Sequence, residues 1–461
     1  MAADDKPIRR RRVLQGIAVA GGTALAGCSG GGDGGGGGDD TETDSGGNGG
    51  GDTETDSGGD GGGGASGEVN FVHISSFEPS AQDFAEVFNA ESDATLNTQG
   101  TPAESSSTRE YYVNQFAAQS GSFDVGMMDV VWPAEFVGAG WAAEVSDPDG
   151  NMDNMLSTPV EAITLDGSTY GMPMFTDANG FYYRSDWLEE LGYDEPPATY
   201  MEVVNIAQEA KEQIDGCENG YIWQGGSNEG LTIMWLNWVW GFGGSIRDGD
   251  GNLVVNSEEG IQALQHAVDL IYEHEVTPDS IPSSGTDGNR QTFQQGGTMF
   301  MRNWPYAYGL FQDDTPVTDS FDVTTMPKAE GNPDANNSCL GGWSLFINAF
   351  TENNAAAQEF AQYAGTLDAQ EILSGEHGRL PVRQELYEDS YWEDSDYDKP
   401  GNLDIFSEIL QQTSARPATA QYSQFSNLVY TECNRALTQS KSPEEALNDA
   451  QAEIDSEINT A

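Results

Sequence analysis

Beyond residue 67 the chain alternates short apolar runs with stretches whose apolar residues recur every three or four positions. The run from Val69 to Ile74 predicts a first strand, and the spacing after it predicts a helix from about Ala81 to Ala90. Thr199-Tyr200-Met201-Glu202 reads as a capping box, because a threonine hydroxyl and a glutamate three residues on can satisfy each other's backbone N–H groups. The helix it opens has its apolar face on Val203, Ala207, Ala210 and Ile214. Another helix carries Ile261, Leu264, Val268 and Ile271 on one side. The last opens at Ser442-Pro443-Glu444-Glu445, a cap with proline at the first helical position, and continues through Leu447, Ala450 and Ile454. Such alternation predicts α/β layering. The roughly 394 residues from 68 to 461 exceed what one hydrophobic core usually serves, so two lobes are expected.

The first 67 residues follow other rules. Arg9-Arg10-Arg11-Arg12 precedes an uncharged apolar stretch from Val13 to Gly27, the order of an export signal. That stretch is shorter than the roughly 20 residues a membrane-spanning helix needs. The adjacent arginines point to the twin-arginine route. Leu25-Ala26-Gly27-Cys28 resembles a lipoprotein processing box in which Cys28 becomes the lipid-bearing first residue. From Ser29 to Gly67 glycine is mixed with Asp, Thr, Glu and Ser, and Asp-Thr-Glu-Thr-Asp-Ser-Gly-Gly occurs at 40–47 and again at 52–59. Such a segment has nothing to bury and is expected to act as a disordered tether with a reach of about 35 Å. The expected organisation is a signal peptide at 1–27 and an anchored tether at 28–67.

Charge narrows the function. The chain has 18 basic and 76 acidic residues, a net charge of -58. Losing residues 1–27 removes five basic and two acidic residues and moves the balance to about -61. Nucleic acid is excluded as a partner, because its phosphates would be repelled. So acidic a surface is expected of a protein that works in strong salt, where the screening length falls to about 3 Å. Cys217, Cys339 and Cys433 are too few for a disulfide framework, and either one bridge with one free thiol or three free thiols is open. His73, His266, His274 and His377 are scattered, no cysteine pair has metal-site spacing, and neither a metal nor a cofactor is expected.

Five segments, read as loops around one buried strand, combine carboxylates, aromatics and glycine turns. Asp124 to Pro133 predicts a buried strand delivering Asp129 at its carboxyl end, where ligands of α/β sheets collect. Tyr170 to Arg184 holds Asp177 between Phe175 and a small-residue turn. Met301-Arg302-Asn303-Trp304-Pro305-Tyr306, Leu340-Gly341-Gly342-Trp343 and Ala415-Arg416-Pro417 follow. A sugar offers flat C–H faces and a rim of hydroxyls, so aromatic planes with carboxylates and guanidinium groups suit it. Each residue also has a plainer reading, Asp129 and Asp177 as helix caps and Trp304 and Trp343 as core.

From about Glu68 to Ile454 the chain resembles the extracellular solute-binding proteins of family 1, which serve ABC-type sugar importers, and most closely their trehalose/maltose-binding branch. Asp129-Val130-Val131-Trp132-Pro133-Ala134-Glu135-Phe136 with Gly140-Trp141, the Tyr170 to Arg184 run, Arg302 to Tyr306 and Leu340 to Trp343 carry the likeness. It implies a two-lobe, type 2 periplasmic-binding-protein fold with an interlobe ligand cleft, lobe one from 68–177 and 338–387, lobe two from 178–337 and 388–461. By position, Asp129 and Asp177 resemble hydroxyl-pairing carboxylates, Trp304, Tyr306 and Trp343 stacking aromatics, and Arg416 a late cleft arginine, while Gly342 would let the backbone approach the ligand. Glu78 and Arg109 are implied too, in flanking sequence that departs from the pattern. Phe175 stands where the pattern often has tyrosine, so one hydroxyl contact is expected to be missing.

The resemblance implies a monomeric receptor that closes on a neutral sugar and passes it to a membrane permease. A polyol, glycerol phosphate or an oligopeptide is the rival ligand; more basic residues than Arg109, Arg302 and Arg416 are expected around a phosphate ester. A glycoside hydrolase would need two carboxyls flanking a scissile bond, one with its pKa raised. Nothing in the sequence marks an acid held neutral in an apolar pocket. A cell-surface adhesion protein, which the tether and the sequon Asn336-Asn337-Ser338 would fit, leaves the aromatic segments without a purpose. If the acidic surface is tuned to salt, the melting temperature rises as NaCl is raised from dilute to molar, and a melting temperature independent of salt contradicts that reading.

Overall fold

The computed structural model describes residues 66–102 and 104–459. The signal segment, Cys28 and the tether up to residue 65 lie outside the described residues. Two hydrophobic cores organise the rest. One gathers buried residues from Val69 to Phe175 and from Trp343 to Val382. The other gathers residues from Ala178 to Ala329 and from Leu380 to Ile458. Each core is built on its own sheet.

The first sheet runs in the order Leu380–Pro381, Met172–Asp177, Gly341–Asn348, Val125–Asp129, Gly67–Ile74, Ala94–Thr101, with Ala142–Ala143 also pairing beside Gly341–Asn348. Gly67–Ile74 is parallel to both its neighbours, whereas Gly341–Asn348 runs antiparallel to Val125–Asp129 and Met172–Asp177. Val125–Asp129, Met172–Asp177 and Gly341–Asn348 are buried at every position, as expected of central strands covered on both faces. The second sheet has the order Phe321–Thr324, Gly180–Arg184, Thr298–Asn303, Asn219–Ile222.

The helix signals read from the sequence are present, with two shifts. Thr199 and Glu202 form the reciprocal capping box, and Ser442 accepts the Glu445 N–H at the last helix. The first helix starts at Glu78 rather than about Ala81, because Pro79 occupies its first turn and the short 3₁₀ turn Ser75–Phe77 leads into it. In Glu258–Tyr272 the deepest face is Ala263, Leu264, Ala267, Leu270 and Ile271, while Ile261 and Val268 pack on its flank. The alanines let this helix come close to Glu229–Gly241, whose residues are almost all buried.

The chain passes between the lobes beside a small parallel pairing of Ser338–Cys339 with Thr413–Ser414. Around it a buried amide network locks the crossings. Asn179 Nδ2 donates to the Cys339 carbonyl at 2.6 Å, and the Asn179 N–H donates to Ser338 Oγ at 2.8 Å. Asn237 closes the ring, its Nδ2 donating to Asn179 Oδ1 at 3.0 Å and its Oδ1 accepting the Cys339 N–H at 3.0 Å. Cys217, Cys339 and Cys433 are free thiols. Asn237→Ala strands one buried acceptor and one buried donor; a loss of about 1–3 kcal/mol per group is expected in denaturant unfolding. An unchanged unfolding midpoint would show that the ring does not hold the crossings.

Candidate functional site

Strand register brings the predicted residues together. Trp343 lies opposite Asp129 on one side and Phe175 on the other, and Gly341 lies opposite Asp177. Across the cleft, Asn303 pairs with Gly180, so Trp304 leaves the second sheet beside the crossing segment. These segments are therefore mainly strand ends rather than loops; Ala415-Arg416-Pro417 alone is irregular backbone. Between the lobes they wall a cavity of about 740 Å³, counting the solvent at its mouth.

Of the nine residues expected to touch a ligand, the cavity is lined by Asp129, Asp177, Trp304, Tyr306, Gly342, Trp343 and Arg416. Glu78 and Arg109 are not among its lining residues. Glu78 opens its helix on the surface, where it accepts a bond from Gln82 at 2.9 Å and lies 3.3 Å from His73 Nε2. Arg109 is paired with Glu135, its Nε donating at 2.9 Å, and lines a separate cavity that shares Ser105 and Glu229 with the first.

Arg416 is the centre of the electrostatics. Its guanidinium is buried and donates to Asp129 Oδ1 at 2.6 Å in the first lobe and to Glu229 Oε1 at 2.9 Å in the second. Burial works against this cation, but Asp129 and Glu229, with Tyr422, more than offset that and hold its pKa above the ordinary value. Glu229 also accepts from Tyr422 at 2.5 Å and from Ser426. Its pKa is still raised, by burial.

Asp177 differs from both. It is 7 % exposed, and no group among the described residues donates a hydrogen bond to its carboxylate. Burial pushes its pKa up to about 7, against the pull of Arg379 and with the repulsion of Asp129. The cations near it bond to other groups, although among the described residues Arg302 Nε and Nη2 and Arg416 Nε have no partner. Arg379 donates to Ser76 O at 2.7 Å and lies over Phe175 at 4.6 Å, and Arg302 donates to Gln224 at 2.8 Å beneath the Trp304 ring at 4.2 Å. The sequence marked no acid with a raised pKa; the fold gives Asp177 one.

The aromatic walls are fixed from behind. Trp304 stands over the Arg302 guanidinium, Trp343 meets Trp132 edge-on at 5.4 Å, and Tyr306 donates to Asp287 at 2.9 Å. Trp304 and Asp177 crowd against Gly341, where a Cβ would sit 2.8 Å from the indole and 3.1 Å from Asp177 Cβ. Gly342 is required by its own backbone. Its φ is +137°, and a Cβ there would be 2.8 Å from the Phe175 carbonyl oxygen. Phe175 itself stacks on Phe77 at 5.8 Å.

Four charged cavity residues escaped the sequence reading: Glu104, Glu229, Asp287 and Arg379. Glu229 had a usable signal, an acid after the cap Asn228 and directly ahead of the apolar run Leu231 to Trp240.

A two-lobe body with a cleft of carboxylates, arginines and aromatics at strand ends defines a small-molecule binding protein. Residues 74–371 match the model of the bacterial extracellular solute-binding protein family, and the chain belongs to that family. A probable ABC transporter-binding protein of Deinococcus radiodurans is 32 % identical over 373 residues, 78 % of this chain and 86 % of its own. The solved structure of maltose-bound MalE3 from T. maritima superposes with a TM-score of 0.78 at 30 % identity, over 85 % of this chain and 99 % of that one. A ribitol complex from Agrobacterium radiobacter shares the fold, with a TM-score of 0.74 at 20 % identity over 84 % and 98 % of the two chains.

Arg416→Met leaves Asp129 and Glu229 buried without their cation. A loss of about 3–5 kcal/mol in unfolding free energy is expected, part of it recovered when Asp129→Asn is added. A single variant as stable as the parent contradicts this assignment.

Proposed function

We propose that the chain is the external receptor of an ABC-type importer and that its cleft closes on a neutral sugar or polyol, a disaccharide of the maltose or trehalose type being the favoured ligand. The observation that carries this reading is Asp177, a buried carboxylate that faces the cavity with no donor among the described residues. A ligand hydroxyl is the group it lacks. Trp304, Trp343 and Tyr306 supply the apolar and aromatic faces against which a pyranose ring stacks, and Arg379 and Arg416 can donate to its oxygens. Asp129 accepts from the ligand only with what Arg416 and Ser105, which donates to its Oδ2 at 3.3 Å, leave free. Glu78 and Arg109 act outside this cavity, Arg109 through its pair with Glu135, which also accepts from Ser423 at 2.9 Å.

Carboxylates from Glu104, Asp129, Asp177, Glu229 and Asp287 face the cavity, which disfavours glycerol phosphate and other anions. The T. maritima relative, described as maltose-bound, supports the sugar reading. Export through a twin-arginine signal, anchoring at Cys28, a tether long enough to dock on a permease in the same membrane, work in high salt and a monomeric state complete the proposal. Lobe one at 68–177 and 338–387 and lobe two at 178–337 and 388–461 are the bodies we take to move, and a ligand shuts them only by binding the closed form better than the open one.

A second reading has one observation in its favour: Asp177, its pKa raised to about 7, has with Asp129 the form of an acid and base pair. Against it, Asp129 is committed to Arg416 and is not free to act as nucleophile or base. Incubation with maltose or trehalose separates the two, since a receptor returns the sugar intact and a hydrolase yields glucose.

Calorimetry of the purified protein in molar salt against mono- and disaccharides tests the main reading. Asp177→Asn is expected to weaken the best sugar about 10- to 100-fold, the worth of a charge-assisted bond, and Trp304→Ala about 30-fold or more. Binding of a peptide or phosphate ester with no sugar in the panel overturns it.

Asp177 also sets a pH dependence. Its folded pKa of about 7 means that below pH 7 it mostly holds a proton, which ligand hydroxyls donating to the ionised form must displace. Affinity therefore falls as pH drops below about 7, by at most about tenfold per pH unit. The slope disappears in Asp177→Asn; a slope that survives assigns the proton elsewhere.

A further inference from the structure

The helix Thr286–Gln294 in the second lobe begins without a side-chain cap of its own, since Gly285 occupies the capping position. Its Phe293 is fixed in the second core. The cap comes from the other lobe. Glu104, which precedes the helix Ser105–Ala117, lays its carboxylate against Gly285 at the start of this helix, where the Thr286 N–H favours its charge and Asp287 opposes it. Tyr112 and Phe116 of the helix Ser105–Ala117 belong to the first core, so the two ends of this contact are anchored in different bodies.

Gly285 is shaped to this contact. Its φ of -99° suits any residue, so conformational freedom is not what glycine provides here. A Cβ at 285 would instead lie 2.0 Å from Glu104 Oε1. The space of one methyl group is the seat of the carboxylate.

The seat is also wired to the ligand walls. Asp287, one residue on, accepts the Tyr306 hydroxyl at 2.9 Å and pairs with Arg290 at 3.2 Å. Asn303 Nδ2 donates to the Thr286 carbonyl at 3.3 Å, and its Oδ1 accepts the Trp304 N–H at 2.8 Å. Whatever fixes Thr286 and Asp287 also fixes the backbone of Trp304 and the ring of Tyr306.

We propose that Glu104 is a cap delivered in trans: closing the lobes seats its carboxylate on the open N-terminus of Thr286–Gln294, and this contact governs how long the lobes stay shut on a ligand. Glu104 is a positioning residue, acting on the ligand through Asp287 and Tyr306. A carboxylate suits the place, because four orphan N–H groups and the positive end of the helix dipole meet there. The proposal rests on the reading of the protein as a closing receptor.

Two substitutions attack the contact from opposite sides. Glu104→Ala removes the carboxylate, and Gly285→Ala leaves it in place but fills its seat. Stopped-flow release of the best sugar from the calorimetric panel is expected to quicken about five- to thirty-fold in each, the worth of a lost helix cap. Association rates should stay within about twofold, because the contact forms only on closure. The double variant should release no faster than the quicker single one, since there is one contact to lose. Release at the parental rate in both singles, or effects that multiply in the double variant, overturns the proposal; circular dichroism verifies that each variant is folded.

A second readout needs no ligand. With one nitroxide on each lobe, the parent populates a short interlobe distance that Glu104→Ala and Gly285→Ala deplete. Identical distance distributions reject the trans cap. A panel in which no sugar binds the parent counts against the receptor reading alone, and the distance measurement still decides the cap.

Discussion

A guanidinium group held out of water between two lobes is the constraint on which the rest depends. Arg416 is tolerable only because Asp129 reaches it from one lobe and Glu229 from the other, and removing either would leave a charge uncompensated. That requirement places the end of the strand Val125–Asp129 against the start of the helix Glu229–Gly241, the most buried helix of its lobe. The hinge ring of Asn179, Asn237, Ser338 and Cys339 lies beside the same junction. Lobe geometry and site electrostatics are therefore one arrangement.

The remaining chemistry follows from what Arg416 uses up. With Asp129 paired, Asp177 is left without a donor among the described residues, and burial, helped by the repulsion of Asp129, sets its proton affinity high. A chain with only 13 basic residues after residue 27 places Arg302, Arg379 and Arg416 within the reach of this one acid. Each is tied down by other groups, so they shape the field at Asp177 without satisfying it. An empty acceptor in a field of fixed cations is preorganised for hydroxyl donors.

Much of this was legible in the residues because local rules governed it. The Thr199 capping box, the Ser442 cap and the buried strand ending at Asp129 depend on neighbours a few positions away, and they appear where the pattern placed them. The solute-binding resemblance fixed the fold class for the same reason, since its motifs sit at strand ends. What stayed hidden depends on partners far along the chain. Arg416 meets Asp129 across 287 positions and Glu229 across 187. Gly342 lines the cavity, and its positive φ and the Phe175 carbonyl are a further reason for glycine that no neighbouring residue marks. The state of Asp177 is a property of the cavity and has no local signature.

The most direct measurement is a crystal structure of the protein grown in molar salt with the tightest-binding sugar. The account predicts a ligand hydroxyl within hydrogen-bonding distance of Asp177, a ring face against Trp304, and Arg416 still bridging Asp129 and Glu229. A ligand bound elsewhere, or an Asp177 carboxylate that takes its hydrogen bond from the protein instead, would contradict it.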